Sequence, residues 1–179
     1  MTNNDIMRRI RYAFDFDDTK MIALFAMADQ KVTRQQISAW LKKDDDAGFV
    51  ECSESELTLF LDGLINDRRG KKEGPQAKPD LRLNNNIIFR KLRIALNLRD
   101  EDILALLSLA GFPITKPELN AFFRKSDNRH FRVCKDQILR NFIKGVQLKY
   151  RPDNAAEKPV KKESETAPKK PSIEDFKWK

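Results

Sequence analysis

The chain repeats itself, and that limits its fold more than any other feature. At an offset of 82 residues, positions 3–70 overlay positions 85–152 without a gap, and about twenty of the 68 aligned pairs are identical. Chance supplies only a few identities over such a span. They run the length of the unit: Asn3/Asn85, Asn4/Asn86, Ile6/Ile88, Arg8/Arg90, Arg11/Arg93 and Asp18/Asp100 near its start, Thr33/Thr115 and Ala39/Ala121 in its middle, and Cys52/Cys134, Leu57/Leu139, Phe60/Phe142 and Gly63/Gly145 near its end. Apolar positions that differ exchange for apolar ones, as in Ile10/Leu92 and Trp40/Phe122. A property held by both copies serves the shared fold. A property of one copy is where function can have specialised.

Each copy reads as four helices. The first starts at an Asn cap (Asn4, Asn86) and places Ile6, Ile10, Ala13 and Phe14 at helical spacing. The second starts near Asp18 or Asp100, whose carboxylate can cap it, is apolar almost all round, and is therefore expected at the centre of its module. The third opens with capping boxes, Thr33-x-x-Gln36 and Thr115-x-x-Glu118, with Pro117 in the first turn of the second copy. The fourth begins with Ser53-x-x-Glu56 in copy one, but Lys135 replaces the capping serine in copy two. Gly63 and Gly145 fall inside it, where Gly costs about 1 kcal/mol relative to Ala, so another backbone should approach closely there. The fold class is all-α: a tandem duplication of a four-helix module over 3–70 and 85–152. Modules this small bury little core alone, so the copies should pack together about a pseudo-twofold axis.

Residues 71–84, with Gly74-Pro75 and Pro79, read as a linker. From position 153 onward Lys, Glu, Ala and Pro dominate and form no core, so a disordered tail is expected. The N-terminus lacks a basic region followed by an apolar run, and no stretch approaches the length a membrane span requires. Two cysteines are too few for a disulfide framework and read as reduced thiols of a cytoplasmic protein.

The same residues carry a family resemblance. Asn-Asp-Ile-x-Arg-Arg-Ile-Arg-Tyr-Ala, then Ala-Trp-Leu-Lys-Lys, Cys-Ser and Phe-Leu-Asp-Gly-Leu-Ile resemble the YehS family of bacterial proteins over essentially 3–152. The resemblance implies a cytosolic protein with two copies of one module. It implies no activity, cofactor or catalytic residue.

Nothing in the chain reads as an enzyme. His130 is the only histidine and its counterpart is Gly48; no phosphate loop, metal-ligand spacing or Ser/His or Cys/His pair recurs, so no cofactor is expected. Cys52 and Cys134 stand at a helix start, where a thiol pKa can fall, but small buried core residues are the commoner reading.

Charge separates the copies. Copy one holds ten basic and thirteen acidic residues; copy two holds fourteen and six. Val50 becomes Arg132, Ser53 becomes Lys135, Thr58 becomes Arg140, Asp62 becomes Lys144 and Ala47 becomes Arg129. With Lys116, Arg124 and Lys125, these cations can line one surface that attracts phosphate backbones. The competing reading is a solvated face, or one that docks on the acidic first copy. The short turn between the second and third helices also admits a helix-turn-helix, with Lys116, Asn120 and Arg124 on its recognition helix, although such turns are common in small helical folds. Finally, Ile173, Phe176 and Trp178 cluster at the end of the tail, a pattern that suits docking into a protein partner. Leading and competing expectations are thus a nucleic-acid-binding protein and a protein adaptor or homodimer.

Overall fold

A computed structural model describes residues 1–75 and 82–152. The tail from 153, including Ile173, Phe176 and Trp178, lies outside the described residues, as do 76–81 of the linker. The described residues form eight helices and no strand: α1 (Asn3–Ala13), α2 (Asp18–Met27), α3 (Arg34–Leu41), α4 (Glu54–Arg69), α5 (Asn85–Ala95), α6 (Asp100–Leu109), α7 (Lys116–Phe123) and α8 (Asp136–Tyr150). Four fall in each copy, and the all-α duplicated fold stands as expected.

Local chemistry sets the ends of these helices. Thr33 and Gln36 cap α3 reciprocally, as Thr115 and Glu118 cap α7 and Ser53 and Glu56 cap α4. Lys135 opens α8 without a side-chain cap. Two expectations need correction. Asn4 and Asn86 are not caps: Thr2 and Asn84 hold those positions, because each helix starts two residues earlier. Likewise Asp17 caps α2, and Asp18 is freed to pair with Arg11 at 3.0 Å; the counterpart pair Arg93–Asp100 closes at 2.8 Å.

The displaced asparagines have a larger role. Asn4 is fully buried; its Nδ2 donates to the carbonyls of Trp40 and Val50, and its Oδ1 accepts from Cys52 N, each at 2.9 Å. Asn86 makes the same three bonds with Phe122, Arg132 and Cys134. One amide thus ties α1 to the end of α3 and to the loop before α4, satisfying backbone groups that water cannot reach.

The helix glycines meet their expectation. A Cβ at Gly63 would stand 1.8 Å from the Leu24 carbonyl oxygen, and one at Gly145 2.1 Å from that of Leu106. Thus α2 lies directly on α4, and α6 on α8. The second helices are not central, however. Met21, Leu24 and Phe25 are buried while Ala23 and Ala26 face outward, and in the other copy Ala105, Ser108 and Leu109 do. Alanines, and Leu109 in the second copy, made that exposed face look like core.

The copies interlock. α1 lies along α8 and α5 lies along α4, and the contacts between their starts and between their ends make each pair run in the same direction. Equivalent contacts pin both ends of both seams. The Met1 amino group meets Asp136, and Leu83 N donates to Glu54 at 3.1 Å. Arg151 pairs with Asp15 at 3.2 Å, and Arg69 donates to Asn97 at 2.6 Å. Asp15 and Asn97 share positive φ values of 53° and 51°. The reciprocity is that of a pseudo-twofold axis, and one continuous hydrophobic cluster spans both copies.

Candidate anion-binding face

The loop from α7 to α8 and the outer side of α8 hold most of the predicted cations. Arg124 ends α7, Lys125, Arg129 and Arg132 follow in the loop, Lys135 precedes α8, and Arg140 and Lys144 stand one turn apart on the helix; all are exposed. Opposite them on α8, Leu139, Phe142, Ile143 and Val146 are buried. The register therefore keeps Arg140 and Lys144 off this core face, and both side chains are exposed.

Their engagement differs. Lys116 sits apart at the start of α7 and is neutralised by Glu101 at 3.1 Å and by Asp100 at 3.9 Å. The Glu101 carboxyl lies below its usual range through its own backbone amide and the Lys116 ammonium. Lys116 therefore does not join the cationic group. Arg129 donates to His130 Nε2 at 2.8 Å and Arg132 to the Phe131 carbonyl at 3.0 Å, both without a carboxylate. Arg124, Lys125, Lys135, Arg140 and Lys144 form no side-chain hydrogen bond or ion pair among the described residues. The acids among these cations are Asp127 in the loop and Asp136 at the start of α8. The Asp136 carboxyl is held below the ordinary value by hydrogen bonds from the N-terminal amine and Asn85, with Arg140 contributing.

The recurring arginines belong to the fold. Arg8 donates to the Lys42 carbonyl at 2.6 Å and pairs with Asp5 at 2.7 Å, and Arg90 donates to the Phe123 carbonyl at 3.0 Å. With Tyr12, Phe16 and Arg151, Arg8 and Arg11 line a groove of about 310 Å³ that sequence reading missed, because its walls come from both copies. Every arginine there is matched by Asp5, Asp18 or Asp15, so the groove offers little net charge.

Neither thiol is placed for nucleophilic chemistry. Cys52 and Cys134 are 0% and 1% exposed, and burial pushes both up to about 12, with the Glu56 and Asp136 charges acting in the same sense. The described residues contain no group of three or more His, Cys, Asp or Glu side chains able to hold a metal ion, and no helix long and apolar enough to cross a membrane.

A family model described as "Protein of unknown function (DUF1456)" matches residues 3–70 and again 85–151. The uncharacterized protein YehS of Escherichia coli strain K12 is 42% identical over 147 residues, which cover 82% of this chain and 94% of the relative. No solved structure matches.

Proposed function

Because this chain belongs to the DUF1456 family, with one family module in each copy, we propose that it is a non-enzymatic cytoplasmic protein whose second module binds an anionic polymer, nucleic acid foremost. The observation behind this reading is the group of exposed cations around α8 that form no ion pair: Arg124, Lys125, Lys135, Arg140 and Lys144. Surface cations are normally interspersed with acids. Here the equivalent positions of copy one are Lys42, Lys43, Ser53, Thr58 and Asp62, so three of the five charges are particular to copy two. Solvent exposure of Arg140 and Lys144 favours this reading over docking of the basic face on the acidic copy.

Such a surface reads phosphates and not bases, so it predicts weak sequence preference and strong salt dependence. Neutralising about four phosphates gives an affinity loss of roughly 10²-fold between 50 and 200 mM salt. Fluorescence anisotropy with mixed-sequence DNA and RNA at those two salts tests it. Arg140→Gln and Lys125→Gln should each weaken binding and flatten the salt slope by about one unit. Absence of binding at 50 mM salt overturns the reading.

A further inference from the structure

The two seams between the copies share one register but not one charge pattern. In the α4–α5 seam, between the Leu83–Glu54 and Asn97–Arg69 pins, Lys91 pairs with Asp62 at 2.6 Å, with side chains 15% and 29% exposed. The α1–α8 seam is pinned at the equivalent ends, Met1 to Asp136 and Asp15 to Arg151. The repeat equates Lys91 with Arg9 and Asp62 with Lys144. The place of an ion pair in one seam is therefore taken by two cations in the other. Arg9 is half-buried and Lys144 exposed, and neither has a carboxylate partner among the described residues. The closest acids along both helices are already engaged: Asp5 by Arg8 and the Thr2 amide, Asp136 by the N-terminal amine and Asn85. Arg140 stands one turn before Lys144 on the same helix and adds a third positive charge.

We propose that the middle of the α1–α8 seam is a phosphate-binding site, in which Arg9 and Lys144 clasp one phosphate group with Arg140 beside it. Like charges at facing positions of two packed helices repel, and an anion between them turns that repulsion into two charge-assisted contacts. Arg9 supplies a planar fork suited to two phosphate oxygens, and Lys144 a mobile point charge. The proposal deepens the polymer-binding reading, because it names where one backbone phosphate is held. The same chemistry also suits a free phosphate.

The test uses the whole chain and two probes. Inorganic phosphate at about 10 mM should raise Tm above that in chloride of equal ionic strength, since binding to the native state alone stabilises it. Lys144→Asp recreates the ion pair of the other seam; it should raise Tm without phosphate and remove the phosphate response. Arg9→Gln should remove the response without that rise. A wild-type Tm that phosphate leaves unchanged, or a Lys144→Asp variant that keeps the full response, overturns the site. The second probe is a deoxythymidylate ten-mer. If phosphate acts and the ten-mer does not bind, the site stands for free phosphate and the polymer reading falls. If the ten-mer binds wild type and Lys144→Asp equally, the polymer reading stands and the site is wrong.

Discussion

At the scale of single residues, three identities shared by both copies explain most of the architecture. Asn4 satisfies two carbonyls and one amide that the folded chain removes from water. Asn4→Leu leaves all three unpaired, at about 1–3 kcal/mol for each buried group, and should lower the urea midpoint enough to leave little stability. Asn4→Asp should do no better, because a carboxylate cannot donate to the Trp40 and Val50 carbonyls. Gly63→Ala is expected to be as harmful, since its methyl would enter the Leu24 carbonyl and only a shift of α2 from α4 relieves the clash. The cysteines make a prediction about pH. Burial raises their folded pKa to about 12, so the unfolded chain loses these protons first as pH rises. Their contribution is intact below the unfolded value near 9 and declines between about pH 9 and 12, by about 1.4 kcal/mol per pH unit per thiol. Urea midpoints of wild type and of the Cys52→Ala, Cys134→Ala double variant should therefore converge as pH rises from 8 to 10.5; parallel curves would mean that the thiols ionise equally in both states.

At the scale of elements, α4 and α8 occupy equivalent places and begin differently. Ser53 and Glu56 cap α4, while α8 starts at Lys135, whose charge faces the positive end of the helix dipole and caps nothing. Lys135→Ser should stabilise the protein by about 0.5–1 kcal/mol, seen as a higher Tm, while weakening the proposed polymer binding by removing one cation. A variant that binds as tightly as wild type would place Lys135 outside the binding face. This contrast was legible in the sequence, because a capping box has a fixed spacing. So was the backbone contact at Gly63, since a glycine inside a helix has a cost that two copies keep. The central position expected for α2 was not, because alanines at its exposed face look apolar without being buried. Asn4 was misread for a related reason: asparagine suits both a cap and a buried clamp, and only the partners decide. Of the candidate face, composition revealed the cations of α8, but their freedom depended on where the acids fell. Lys116 lies in the same charge-rich copy and is neutralised by Glu101 across a loop no periodicity describes.

At the scale of the molecule, each first helix is covered by the other copy's fourth helix, so neither module is closed on its own. Ile10, Ala13 and Phe14 at the end of α1 pack with Leu92 and Leu96 at the end of α5 and with Ile143 and Val146 of α8. Residues 1–75 and 82–179 produced as separate chains should therefore be poorly folded as monomers and recover cooperative melting when mixed. Their self-association should differ, for a reason set by the seams. A pair of first modules places Arg9 opposite Asp62 twice; a pair of second modules places Lys91 opposite Lys144 twice. The native chain has one favourable and one unfavourable pairing. The strong positive charge of the second module adds long-range repulsion to its own pairing. Taking about 1 kcal/mol for each half-buried pair and counting both seams, self-dimers of the first fragment should form at concentrations at least tenfold below those of the second. Sedimentation equilibrium at low salt measures both, and the gap should narrow as salt screens the seams. Equal dimerisation of the two fragments at low salt would mean that charge at the seams does not govern how the copies pair, and with it the role given to Arg9 and Lys144 would fall.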